Sequence, residues 1–308
     1  MTTVSANATK TTATPERAER DPRVKSRPPL PPIEDVRDDL LAGGHLWLQE
    51  YVDGGSFRFQ LRADGAIRFG DRENEFEPGD PPLPYRRALA HVRENLDRRA
   101  LREAVADVGA VTFFGVATHH RSIDYDWART PPVLGTDVWS ATEERFLPPD
   151  RVEQTFRRLG LDPINAVRKE LRAQDFDPDA YEFPASNWYD GPVAGVVVRS
   201  KTGGAAQLLA PEFERGSGRN DAPAPDAVDP ADALVEHHAT DRRLEGLVGT
   251  LEAQERGVTA DALTERALDA VAREAPAERF GDGGVDEGAL RSALAPRVRE
   301  FLDTRSWE

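Results

Sequence analysis

Cysteine is missing from this chain of 308 residues, methionine occurs once, and lysine occurs only as Lys10, Lys25, Lys169 and Lys201. Without cysteine there is no disulfide, no thiolate nucleophile and no Cys-ligated zinc. No apolar run approaches membrane-spanning length, and the first residues lack the apolar core of a signal peptide. A cytoplasmic protein with no membrane partner is expected. The formal net charge is -15. Non-specific attraction to nucleic acid is therefore not the default expectation. Of the 40 basic residues, all but four are arginine. An acidic, lysine-poor chain suits a salt-rich, halophilic cytoplasm, where long-range charge is screened. A GC-rich genome would also favour arginine.

Four segments follow from composition. Residues 1–35 carry Thr, Ala, Pro and charge with few large apolar side chains, and close on "RPPLPPIEDV". They read as a disordered tail with a stiff proline end. Residues 36–215 form a mixed α and β domain. "HLWLQEYV", "SFRFQLR" and "AIRFG" alternate in period two and are joined by glycine-containing turns. Leu89, Val92, Leu96, Leu101 and Val105 have helical spacing. "AVTFFGVAT", "VLGTDVWS", "AGVVVRSK" and "AAQLLAPEF" are apolar stretches of strand length. "PDRVEQTFRRLG" is a helix with Asp150 as cap and Gly160 near its end. Residues 216–230 are a Gly/Pro/Ala/Asp linker. Residues 231–308 form a helical C-terminal domain of three long stretches, with Thr259 as a cap.

Several features have plain readings. His119-His120 and His237-His238 diverge too far for one coordination sphere, so no metal site is expected. Asp124 and Asp126 in "DYDW" read as a solvated pair on a loop. The pairs Arg86-Arg87, Arg98-Arg99, Arg157-Arg158 and Arg242-Arg243 neighbour acidic residues, so i,i+4 pairing competes with RNA phosphate contact. Trp47, Phe57, Phe59, Phe113 and Phe114 read as core. Trp188-Tyr189 is a base-stacking platform or a loop anchor. Lys169 reads as part of a solvated helix face.

Five collinear stretches resemble the RNA ligase family, within the covalent nucleotidyltransferase superfamily of ATP-dependent ligases and capping enzymes. "EYVDGGSFRF" resembles the Lys-x-Asp-Gly motif, and "FFGVATHHRSIDYDW" the Phe-x-Gly-Glu motif. "LGTDVW" is similar to the Phe-Asp-Val stretch, "GPVAGVVVRSK" to Glu-Gly-Val-Val, and "AAQLLAPEF" to the lysine-bearing fifth motif. The resemblance implies an α+β fold: a nucleotidyltransferase (ATP-grasp-like) domain with antiparallel sheets around a cleft, plus a small helical C-terminal domain.

The chemistry of such a family needs a lysine amine with a depressed pKa, a carboxylate on the ribose, a ring on adenine, a carboxylate on a divalent metal and a cation on the phosphate. In this chain the resemblance places Tyr51 in the nucleophile slot and Val116 in the ribose slot. Thr136 falls in the stacking slot and Ala194 in the metal slot. Ala205, Gln207 or Leu209 holds the fifth-motif lysine slot according to register, with Gln207 as the chosen candidate. The framework around them is kept at Asp53, Gly54, Arg58, Phe114, Gly115, Asp137, Gly195 and Arg199. The expected cleft residues are Asp53, Gly54, Arg58, Phe114, Asp137, Arg199 and Lys201, with Lys201 facing phosphate. No catalytic residue, metal or cofactor is expected. The protein is read as a pseudoenzyme that binds RNA or a protein such as an active paralogue. The alternative is an active ATP-dependent RNA ligase, using ATP and Mg, with its nucleophile moved to another lysine.

Overall fold

A computed structural model describes residues 24–216, 230–280 and 283–305. The tail expected over 1–35 lies outside these residues as far as position 23, and the expected linker does so over 217–229. Residues 24–32, expected in the tail, are instead placed against the domain, and helix α1 (Ile33–Leu41) follows.

Among the described residues, nine strands form two antiparallel sheets. The first contains β1 (His45–Glu50), β7 (Ala166–Arg172), β8 (Gly195–Ser200) and β9 (Ala205–Leu209), in the order β7-β1-β8-β9. The second contains β2 (Gly55–Leu61), β3 (Ile67–Gly70), β4 (Val111–Ala117), β5 (Val133–Ser140) and β6 (Arg145–Phe146), in the order β3-β2-β4-β5-β6. The glycine-containing turn between "HLWLQEYV" and "SFRFQLR" does not close a hairpin, since β1 and β2 lie in different sheets. Tyr51 to Gly54 instead carry the chain from one sheet to the other. The burial of β1 explains this: five of its six residues are buried, so both faces are covered and no polar face is left for solvent.

Helices cover the outer faces. On the five-stranded sheet, Leu89 and Val92 of α2 (Arg86–Asn95) and Phe156 of α4 (Pro149–Arg158) pack against Phe57, Phe59 and Phe113. Phe59 and Phe113 are cross-strand partners, and their rings stack at 4.8 Å. On the four-stranded sheet, Ile33 and Leu40 of α1 pack against Leu46, Val196 and Val198. The single helix read through Leu101 is two, because Asp97 accepts a hydrogen bond from the Ala100 amide and starts α3 (Arg98–Ala104). Asp150 is not the cap of α4; it lies in its first turn, after Pro148 and Pro149. Lys169 lies on the edge strand β7, not on a helix, with its amine 2.6 Å from Glu153 and over the Trp47 ring.

After the short α5 (Pro211–Gly216), the C-terminal region is α6 (Pro230–His238), α7 (Asp241–Ala253), α8 (Ala260–Glu274) and α9 (Glu287–Arg305). The first expected helical stretch is broken at Ala239-Thr240. Leu244, Val248 and Leu251 on α7 and Leu290, Leu294 and Val298 on α9 repeat at three and four residues, and all six are buried. Thr259 accepts a hydrogen bond from the Ala262 amide, as its position predicts.

Polar contacts fix α8 to α2 and to the loop between β4 and β5. Arg86 meets Asp269 at 3.0 Å and Glu265 at 3.1 Å, so this arginine pairs across to α8 instead of along its own helix. Buried Arg273 donates to the Thr118 carbonyl at 2.8 Å, the Thr118 hydroxyl at 2.9 Å and the Thr130 carbonyl at 2.6 Å. Truncation would leave three acceptors without donors, each worth roughly 1–3 kcal/mol. Arg273→Ala is expected to lower unfolding stability by about 3 kcal/mol or more in urea titrations, with the helices losing structure in a separate, earlier transition.

Candidate functional site

The cleft lies between the two sheets, and strand register builds its walls. On the first sheet Gln49, Val197 and Gln207 are cross-strand partners on β1, β8 and β9, and all three line the cleft. Arg199 lies two residues beyond Val197 and shares its face. On the second sheet Val116 pairs with Ser56. A register shift falls between Phe114 and Gly115, where Phe114 partners Asp137 and Gly115 partners Gly135. Thr136 is left as the extra residue of this bulge, and it too lines the cleft.

The resemblance-derived slots are therefore brought together in part. Tyr51, Val116, Thr136 and Gln207 line one cleft, with Gly54, Phe114 and Arg199. Gly54 has no room for a side chain, since a Cβ there would meet the Val116 side chain at 2.5 Å and the Ala117 carbonyl oxygen at 2.6 Å. Ala194, Asp53, Arg58, Asp137 and Lys201 are not among the lining residues, Asp137 lying behind Arg27 and Arg199 as their partner. Ala194 is buried and lies before β8, its carbonyl accepting from the Ala210 amide. The Asp53 carboxylate accepts from the Ser122 amide at 2.8 Å and hydroxyl at 2.6 Å, so it holds a loop. Lys201 sits past the end of β8 with its amine 2.6 Å from Glu170, and does not face the cleft.

Two carboxylates organise the walls. Asp137 accepts from Arg199 at 2.6 Å and 3.0 Å, and also from Arg27. Burial pushes the Arg27 guanidinium down to about 10 against the pull of Asp137, so it stays charged at neutral pH. Glu50, missed by the motif reading, lines the cleft and is 2 % exposed. Its oxygens accept from Ser186 at 2.5 Å and Asn165 at 2.7 Å. Arg27 and Arg72 are further lining residues that the sequence did not single out. Arg27 sits in a stretch without periodicity, so no pattern marked it.

The Tyr51 phenol is raised above its ordinary value of 10 by burial, reinforced by the Asp53 charge. It stays protonated at neutral pH and is a weak nucleophile. Tyr51, Val116, Thr136 and Gln207 do not supply the amine, ribose carboxylate, stacking ring or lysine that the resemblance assigns to those slots, while Arg27, Arg72, Arg199 and Glu50 also line the cleft. Among the described residues no lysine lines the cleft, Glu50 is engaged by Ser186 and Asn165, and the volume left free with Arg27, Pro28 and Leu30 in place is about 160 Å³. Among the described residues there is also no group of three or more His, Asp or Glu placed to hold a metal. His119 packs against Tyr85, and His237 against His238. Trp188 is a loop anchor, its indole donating to Asn165 at 3.0 Å and its carbonyl accepting from the Asp126 amide.

A larger cavity, about 1050 Å³, lies away from the motif residues between the 124–132 loop and helices α6 to α8. Arg87, His91, His238, Arg273 and Glu274 are among its walls. Burial holds the imidazoles of His91, His119 and His238 down near 4 and lifts the Glu274 carboxyl to about 7.

Comparisons of sequence match the chain to no family and to no curated protein. Comparison of structure does find similar folds. A mutant RNA ligase of Naegleria gruberi with ATP and manganese superposes with a TM-score of 0.52 at 11% identity, over 63% of this chain and 58% of that one. A second mutant with the same ligands gives 0.51 at 13% identity, over 64% and 59%. The same ligase with pyrophosphate gives 0.50 at 13% identity, over 64% and 60%. This chain thus spans about three-fifths of the ligase chains it matches. The chain shares the fold of these RNA ligase structures, two antiparallel sheets with a cleft between them.

Two predictions come from this geometry. Asp137→Asn leaves Arg199 and Arg27 facing no charge inside the protein and is expected to cost ~3–5 kcal/mol in urea unfolding. The second concerns pH. An imidazole held near 4 in the fold and titrating near 6.5 when unfolded stabilises above 6.5, and that contribution is lost as pH falls towards 4. The melting temperature is expected to fall between pH 7.5 and pH 5, and His119→Phe to narrow that fall, as measured by calorimetry.

Proposed function

We propose that the protein is an RNA ligase-like pseudoenzyme that does not adenylylate itself and uses the inherited fold to bind RNA or a partner protein. The observation that carries this reading is the phenol of Tyr51 at the cleft. A phosphoamide bond to AMP needs an amine, and Tyr51 offers a protonated hydroxyl held above its ordinary pKa. The alternative, a relocated lysine, finds little support: Lys169 and Lys201 face Glu153 and Glu170, and Lys25 lies over the Trp139 ring. Lys10 lies outside the described residues. RNA enters this reading through the likeness of the fold to RNA ligase structures. With a net charge of -15, contact with RNA would be local and salt-sensitive, not driven by the whole surface.

The test is incubation with α-labelled ATP and magnesium or manganese, at low and high salt, followed by denaturation. No covalent label is expected. Stoichiometric label would overturn the reading, and its position would identify the relocated nucleophile. Tyr51→Lys alone is expected to stay unlabelled, because the slots at Val116, Thr136, Ala194 and Gln207 remain empty of charge and ring. Tyr51→Lys with Val116→Glu, Thr136→Phe and Gln207→Lys rebuilds the lining residues. Adding Ala194→Glu puts a charge at a buried position, and is expected to cost ~3 kcal/mol or more by circular-dichroism melts.

A further inference from the structure

Residues 24–32 do more than precede the domain. Their sequence is Val-Lys-Ser-Arg-Pro-Pro-Leu-Pro-Pro, with prolines at 28, 29, 31 and 32. Proline-rich chain favours the polyproline II helix, whose carbonyls stay free to accept. Pro32 has φ -56 and ψ 150, near that conformation. The segment runs across the cleft and is gripped by both sheets.

On the five-stranded sheet Arg58 donates to the Val24 carbonyl at 2.9 Å and the Lys25 carbonyl at 3.1 Å. Glu75 accepts from the Val24 amide at 2.7 Å. The Lys25 amine lies 4.5 Å from the centre of the Trp139 ring, and the Arg27 guanidinium 5.3 Å from that of Phe146. Trp139 and Phe146 are themselves in contact at 5.0 Å. Arg27 pairs with Asp137. On the four-stranded sheet the Gln207 amide donates to the Pro31 carbonyl at 2.9 Å. Arg27, Pro28 and Leu30 line the cleft together with Tyr51, Val116, Thr136 and Arg199.

The walls are specialised for such an occupant. Arg58 is 4 % exposed, and the partners of its Nη1 are two carbonyls of the segment. A buried guanidinium stripped of these acceptors would be costly, as any buried charge without partners is. An acid at Asp137, an acid at Glu75 and an aromatic pair between them match a basic, proline-rich strand. Aromatic grooves that read extended proline segments use the same chemistry.

We propose that the cleft between the sheets is a peptide-binding groove whose resident ligand is the chain's own Val24–Pro32 segment. This goes beyond the proposed loss of self-adenylylation by naming what fills the cleft in place of a nucleotide. The class of ligand is an extended, proline-rich peptide with an arginine set against Asp137. Tethering holds the segment at high effective concentration, so it occupies the groove without tight intrinsic affinity.

The chain has no cysteine, and Ser26 is exposed. Ser26→Cys in the full-length protein therefore carries one nitroxide label on the segment. The expected spectrum is that of an immobilised label. Arg27→Glu, which sets a carboxylate against Asp137 without touching the walls, is expected to raise the mobile fraction several-fold. Synthetic peptide of residues 24–33, at the millimolar concentration that matches the tether, is expected to do the same without any substitution in the groove. A label equally mobile with Arg27 and with Arg27→Glu, and unaffected by the peptide, overturns the proposal. Release of the label by ATP would support the groove and its resident segment while overturning the nucleotide-poor reading of the cleft, so the two readings fail separately.

Discussion

Asp137 belongs to one sheet and Arg199 to the other, and both side chains are almost wholly buried. Their two-point contact, at 2.6 Å and 3.0 Å, sets the spacing of the walls between which every other cleft residue is placed. Gln49 accepts from the Nε of the same arginine at 2.5 Å, so β1, β5 and β8 meet at one guanidinium. A buried ion pair of this kind is weak ground for net stability, because desolvation offsets much of the attraction. Its value here is geometric. Two apolar surfaces can slide over one another, whereas a planar guanidinium fits a carboxylate in few orientations. Arg27 joins the same carboxylate, so the segment before α1 is set by the contact that sets the sheets.

The parts of the fold that burial dictates were legible in the sequence. β4, β5, β8 and β9 are short apolar runs, and each forms a strand where its run stands. The helical spacing of Leu244, Val248 and Leu251 gave α7 in the same way. The sheet partners were less legible. β1 and β2 are neighbours in sequence with glycines between them, a pattern shared by a hairpin and by a crossover. Only the two-sided burial of β1 separates the two, and that depends on what packs above it. Lys169 shows the same limit. Its neighbours Arg168 and Glu170 suit a solvated helix or an exposed edge strand equally, and pairing of β7 with β1 decides between them.

Tyr51, Val116, Thr136 and Gln207 line one cleft, but motif spacing does not give the direction of every side chain. Val197, Arg199 and Gln207 share one face by strand parity, and Ala194 lies outside that row. Thr136 reaches the cleft through a bulge, which alternation along β5 does not reveal. Residues 24–32 were illegible for a different reason. Proline-rich chain has neither the period of a helix nor that of a strand. Its order comes from long-range partners, Arg58 and Gln207 among them, that no local pattern announces.

The route of the chain into the fold also decides how the molecule answers to force. Residues before Val24 join the body through a segment anchored first at Glu75 and Arg58, then at Asp137, and last at Gln207. A pull on the N-terminus loads these anchors in that order before it reaches α1. The Asp137 contact would be strained while the sheets are still whole. A pull from the other end meets α9 first and peels helices before any strand. An unfolding motor would thus open the cleft early from one terminus and late from the other.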